Sequence, residues 1–264
     1  MAGTDGQKQT LARFMKDTNG TMCLAYSEKV HGSNLLGGDM QATKVPGGYL
    51  LKGEKWPINR ATNSIIAFVL GKTEPHGGPR SLSLFMVEKS KIDPDNYSNL
   101  PKILTHGIRG LDMSGIPFDN CFIPEYMRLG AERAGLEIAL KGFQITRALC
   151  AAFSQGAADT ALGTTLKSAI EHKLYGKIFF DIPQPQCTLK DAFLDILICD
   201  CSTFSVGRSF NTIPEQISVW SAVVKYFVTT TLDTRVQNVS VVLDSRFYYV
   251  GSTPLVVDQG NVAG

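Results

Sequence analysis

Little in this chain suits a metal ion. Its six cysteines (Cys23, Cys121, Cys150, Cys187, Cys199 and Cys201) include no CxxC pair, and its four histidines show no HExxH or comparable ligand spacing. The usual zinc frameworks are therefore excluded, and no metal site is expected. Cys199 and Cys201 stand two apart in a helical stretch, which places them on different faces. Reduced, mostly buried thiols are expected. An excess of one charge is also missing, since 26 Lys and Arg against 24 Asp and Glu leave a formal net charge of +2. These charges form no stripe, so no nucleic-acid partner is expected. No apolar run reaches the roughly 20 residues needed to cross a bilayer, which excludes membrane insertion by a helix. The opening "MAGTDGQKQT" lacks the basic and apolar regions of a secretory signal, and the expectation is a cytoplasmic protein. Internal repeats and low-complexity segments are absent as well.

The 264 residues are 44% hydrophobic and 19% charged, enough to bury a sizeable core. Two halves differ in period, with the change near Leu129-Gly130. From Thr21 to Phe122, "TMCLAYS", "MQATKV", "GYLLKG", "SIIAFVLGK", "SLSLFMVEK" and "GIPFDNCFI" are short β-rich runs separated by turn residues. Their spacing predicts an antiparallel barrel or sandwich. From Glu132 the period becomes helical, with Leu140, Phe143, Arg147, Cys150, Ala151 and Ser154 three or four apart on one face. A second helix is predicted after the breaker "DIPQPQ". A third, and a fourth if the segment divides, follows Pro214. The fold class is thus α+β, a β-barrel or sandwich followed by an antiparallel helical bundle. The predicted division is 1–20, a helical remnant; 21–129, the β domain; and 130–264, the bundle.

The loop "LAYSEKVHGSNL" (Leu24 to Leu35) leaves the first strand with Ser27, Gly32 and Ser33 close together. Such donors, with a glycine that lets backbone approach a ligand, suit an anionic or carbonyl-bearing group. An ordinary polar turn uses the same residue types.

A β domain followed by a bundle, with "SE…GSNL" ahead of "GYLLKGEKWPINRA", resembles the acyl-CoA dehydrogenase family. "HGIRGLDMSGIPFDNCFIP" is similar to the end of that family's β domain. "RLGAERAGLEIALKGFQITR" resembles its entry into the first long helix, and "AIEHKLYGKIFFDIPQ" its RxxFG region. The resemblance implies FAD as cofactor, an acyl-CoA or acyl-carrier-protein substrate, and a homo- or hetero-oligomer. It implies that the Tyr26-Ser27 backbone and the Ser27 hydroxyl bond the flavin ring, and that Ser33 contacts the pyrophosphate. In "KWPINR", Pro57 stands where the family has a large aromatic. Ile58 and Asn59 follow at the positions of the next two flavin residues, and Trp56 lies one place early. Trp56 reads equally as a core residue. Arg147 takes the position of the family's arginine near the reacting carbons, with a structural salt bridge as its rival reading.

Three departures accompany the resemblance. The family needs a carboxylate base for the α-proton, yet Thr146 precedes Arg147, and Asp258 in "VDQGN" is the only late candidate. The N-terminal helical domain is reduced to "GQKQTLARFMKDTNG", which would leave apolar surface uncovered and implies a partner polypeptide, a shortened protein or a degraded gene. At the far end of the cofactor, His172 replaces an arginine and Asp244 stands in place of a glycine-rich turn. Both also read as ordinary surface residues. The expected function is FAD-dependent α,β-dehydrogenation of an acyl thioester, alone or as one subunit of a split enzyme. Two alternatives stand beside it: a non-catalytic partner or scaffold subunit, and a flavin oxygenase or oxidase on the same fold. "KWPINRAT" resembles family members from bacterial secondary metabolism, where carrier-protein substrates are common.

Overall fold

A computed structural model gives the fold and describes residues 2–17, 20–75 and 78–244. Asp258 lies outside the described residues. The chain divides into two compact units, Met1–Leu140 and Lys141–Gly264. The division falls inside a helix, some ten residues beyond the change of period in the sequence.

In the first unit, helix α1 (Asp5–Met15) opens with a capping box in which Thr4 and Gln7 satisfy each other's backbone N–H groups. The buried Gln7 amide also donates to the carbonyls of Tyr126 and Arg128, each at 2.9 Å. These bonds fasten α1 to the sheet. Seven strands follow: β1 (Thr21–Ala25), β2 (Gln41–Val45), β3 (Gly48–Asn59), β4 (Ser64–Lys72), β5 (Leu82–Glu88), β6 (Met113–Pro124) and β7 (Arg128–Leu129).

Their order is β6-β3-β2-β4-β5-β7, with β1 also on β4. The β domain and helical part are as expected, and the sheet refines the expected antiparallel barrel or sandwich in two details. The sheet is open, and β1 runs parallel to β4 over Thr21–Ala25. The reason is topological. β3 and β4 are joined by a tight turn whose Thr62 and Asn63 N–H groups donate to the Asp112 carboxylate, both at 3.0 Å. They do not pair, because β1 and β2 both occupy the slot between them: β2 is antiparallel to β3 and meets β4 at Gln41–Lys72. A strand antiparallel to β3 must run parallel to β4. The single turn Glu125–Met127 carries the chain from β6 to β7, so the sheet curls without β6 pairing with β5.

The core gathers Tyr49, Leu51, Ile58, Phe85, Ile116, Ile123 and Met127. Every residue of β5 is buried, as expected of a strand covered on both faces. The entry to the next helix covers it closely. A Cβ on Gly135 would stand 2.5 Å from the Ser83 carbonyl carbon, so only glycine fits that crossing.

Helix α2 (Gly135–Glu171) starts in the first unit and is about 55 Å long at 1.5 Å per residue. In the second unit its buried side is a row of small residues, Ala151, Ala158, Ala161, Thr165 and Ala169. Arg147 and Ser154, placed on one face by the sequence pattern, are half-buried, whereas Cys150 is exposed. A two-stranded hairpin, β8 (Lys173–Leu174) and β9 (Lys177–Ile178), turns at Tyr175–Gly176 with both φ positive. That is the hairpin turn matching strand twist.

Helix α3 (Pro183–Thr212) begins at Pro183, not after the breaker. Pro183 and Pro185 lie in the first turn, where the missing N–H costs nothing. Helix α4 (Ile217–Leu243) is one unbroken helix and starts after Pro214. The helices α3 and α4 pack antiparallel through Ile196, Cys199, Val206, Val224, Val228 and Leu232. The Asp195 carboxylate accepts from the Arg235 guanidinium. Cys199 is buried and Cys201 exposed, on different faces as their spacing requires. Among the described residues, no helix is long and apolar enough to cross a membrane, and no cluster of His, Cys, Asp or Glu could hold a metal.

Candidate functional site

The shared slot of β1 and β2 creates the site. Between them the chain leaves the sheet at Tyr26 and returns at Met40, so residues 26–40 form a loop held at its neck. Glu28 makes that neck. Its carboxylate accepts from the N–H of Met40 at 3.1 Å and of Asp39 at 2.5 Å. It also takes the Lys55 ammonium at 2.8 Å. Lys55, on β3, is only 2% exposed, and it donates as well to the Tyr26 carbonyl at 3.0 Å. Gly38 packs directly on the carboxylate, and an added Cβ there would lie 2.7 Å from Oε1.

Burial alone would raise the Glu28 carboxyl. The Lys55 charge and the two backbone donors outweigh it and hold the group below the ordinary carboxylate value. Burial draws the Lys55 ammonium down against the pull of Glu28. Burial pushes the Tyr26 phenol up to about 12.

The same neck joins the two segments that the sequence singled out. The Trp56 N–H donates to the Ser27 carbonyl at 3.0 Å, and the Ser27 hydroxyl to the Pro57 carbonyl at 3.3 Å. Tyr26, Ser27 and Trp56 are therefore brought together. Among the described residues no acceptor meets the Ser27 N–H. Trp56 is half-buried, beside Gly115. The Ile58 side chain is 1% exposed and belongs to the core, so only its main chain could face a ligand. Asn59 is exposed at the end of β3, opposite Met113 on β6. Ser33 is exposed at the loop's tip.

Arg147 and His172 lie in the other unit. Arg147 is half-buried on α2, and Thr146 before it donates its hydroxyl to the Phe143 carbonyl at 3.1 Å. His172 stands edge-on to Phe179 with ring centroids 5.6 Å apart. Asp244 closes α4 with φ 52° and ψ −139°.

Lys55 and Glu28 were not among the residues singled out from the sequence, although a signal existed. Tyr49, Leu51, Gly53 and Lys55 alternate along β3, so Lys55 takes an inward position reserved for apolar side chains. A lysine there requires a partner.

The open sheet with its looped slot, followed by long antiparallel helices, defines the acyl-CoA dehydrogenase type of architecture. Residues 23–121 match the family described as "Acyl-CoA dehydrogenase, middle domain". The mitochondrial isovaleryl-CoA dehydrogenase of Arabidopsis thaliana is 27% identical over 206 residues, covering 78% of this chain and 50% of the relative. The structure of butyryl-CoA dehydrogenase from Megasphaera elsdenii superimposes with a TM-score of 0.91 at 19% identity, covering 98% of this chain and 67% of that one. The prolyl acyl carrier protein oxidase AnaB gives 0.90 at 19% identity, covering 99% and 68%. The middle-domain match, the curated relatives and the shared fold together support a member of the acyl-CoA dehydrogenase family. The chain spans about half the length of the curated relatives that it matches.

Proposed function

We propose that the chain takes part in the FAD-dependent α,β-dehydrogenation of an acyl thioester carried on CoA or an acyl-carrier protein, alone or with a partner chain. The observation that carries this reading is the Tyr26-Ser27 peptide. It is tied to Lys55 and to the Trp56-Pro57 segment, and its Ser27 N–H meets no acceptor among the described residues. A donor held on a rigid neck and left unused fits the carbonyl and nitrogen edge of a flavin ring. FAD, when bound, supplies the acceptor for the β-hydride while a carboxylate takes the α-proton, and the two losses leave the double bond. Ser27 would orient the ring through its N–H, Asn59 would reach the ring edge through its amide, and Trp56 would wall one side. Ser33 would take the pyrophosphate. His172 and Arg147 carry over by resemblance alone.

The base is the open role. Thr146 has a hydroxyl engaged on its own helix, which leaves Asp258 or a partner chain. Exposed apolar side chains on α3 (Phe193, Leu197, Phe204) and α4 (Val219, Val223, Tyr226) favour an oligomer. The free thiols favour the cytoplasm. A non-catalytic subunit is the second reading, favoured by Thr146.

The test is the visible spectrum of the purified chain, alone and co-expressed with its genomic neighbours, followed by anaerobic addition of an acyl thioester. Bound flavin that bleaches supports the dehydrogenase. Bound flavin that does not bleach supports the non-catalytic subunit, and a colourless protein in both preparations refutes the dehydrogenase and leaves the scaffold.

A further inference from the structure

We propose that Lys55 and Glu28 are positioning residues for the flavin ring, fixing the direction in which the Ser27 N–H points. The inference rests on the flavin reading above and adds a role for a buried ion pair that forms no part of it. The geometry is direct. Among the described residues the only cis peptide bond is Trp56-Pro57, so the Tyr26-Ser27 bond is trans and planar, with C=O and N–H opposed. Lys55 Nζ holds the Tyr26 oxygen at 3.0 Å from inside the unit. The Ser27 N–H must therefore face away from Lys55, outward from the neck.

The ammonium does more than aim this peptide. A cation on the carbonyl polarises the peptide and strengthens the N–H as a donor. Glu28 holds the ammonium in place at 2.8 Å and, through Asp39 and Met40, fixes the end of the same loop. Stability alone gives little reason for such a pair, because a buried ion pair is often replaced by apolar side chains without loss. What an apolar pair cannot do is hold the Tyr26 carbonyl.

Lys55→Met together with Glu28→Gln removes both charges and leaves no buried ion unpaired, so the fold survives. The full chain is compared with this double variant by two measurements. Without FAD, amide hydrogen exchange is followed by peptide over residues 26–40 and over β5 as an internal reference. Faster exchange confined to 26–40 is expected; an unchanged loop overturns the positioning role. With FAD, affinity and midpoint potential are measured. The loss of one well-aimed donor is expected to weaken FAD binding roughly tenfold, or to disfavour reduced over oxidised flavin tenfold, which lowers the potential by about 30 mV. A variant that binds FAD as tightly as the parent and at the same potential overturns the inference while the flavin reading stands. A parent chain that binds no FAD overturns the flavin reading, and this inference with it.

Discussion

Gly38→Ala probes the neck of the loop with a single methyl group. Gly38 has φ −51° and ψ 148°, a conformation open to any L-residue, so backbone strain plays no part. Space decides the outcome. The methyl carbon would lie 2.7 Å from Glu28 Oε1 and 3.2 Å from its Cδ. The carboxylate has nowhere to retreat, since it already holds Lys55 and the N–H groups of Asp39 and Met40. Overpacking costs about 1–3 kcal/mol, and a loosened hydrogen bond to a charged group adds about 1.5 kcal/mol. We expect unit stability to fall by roughly 2.5–4.5 kcal/mol. Gly32→Ala is the control in the same loop. Nothing lies within 4 Å of its added methyl, and restricting the unfolded chain gains at most about 1 kcal/mol. The two tryptophans make the assay specific, because Trp56 reports on the first unit and Trp220 on the second. In a Trp220→Phe background, urea unfolding followed by fluorescence reads the first unit alone. Gly38→Ala as stable as Gly32→Ala, within about 0.5 kcal/mol, would refute the packing argument.

Two further outcomes follow from the same groups and from the thiols. The Glu28 carboxyl lies below its ordinary value of 4.5 in the folded chain. Its stabilising contribution is therefore complete above that value and is lost as pH falls through the lower, folded one. Urea midpoints reported by Trp56 should drop more steeply below about pH 4.5 in the parent than in the Lys55→Met, Glu28→Gln double variant; parallel profiles would contradict this. In a thiol titration, the exposed Cys150, Cys187 and Cys201 should react first. Cys23, Cys121 and Cys199 should wait for denaturant, since burial pushes Cys121 and Cys199 up to about 11 and also raises Cys23. Six fast thiols would show that the cores are open.

All six longer strands were legible as short β-rich runs, because β-prone composition and flanking turn residues mark them. Their arrangement was not. The parallel β1–β4 pairing depends on two strands sharing one slot, a long-range fact that no window of residues contains. The helix ends were misread for local reasons. Prolines at 183 and 185 look like a break yet suit a first turn, whereas Pro214 looks like a start and lies before one. The "TTT" of α4 invites a division into two helices. In the fold Thr229 donates its hydroxyl to the Lys225 carbonyl at 2.7 Å and the helix runs on. At the site, the loop's donors were legible as residue types. The ion pair that aims them joins residues 27 positions apart, and only the inward parity of Lys55 hinted at it.

The departures from the family fall unevenly. At the neck of the 26–40 loop the chain has a donor peptide, a buried pair behind it and a glycine packed against that pair. At the end of α4, Asp244 adopts φ 52° and ψ −139°, a region that glycine enters freely and other residues enter at a cost of about 1–3 kcal/mol. The backbone there keeps the shape of a glycine turn while the side chain brings a negative charge. That combination stores strain at the end of the helix. On the flavin reading proposed above, FAD binding should depend on the Ser27 donor, and so on Lys55 and Glu28, which hold its peptide and its loop.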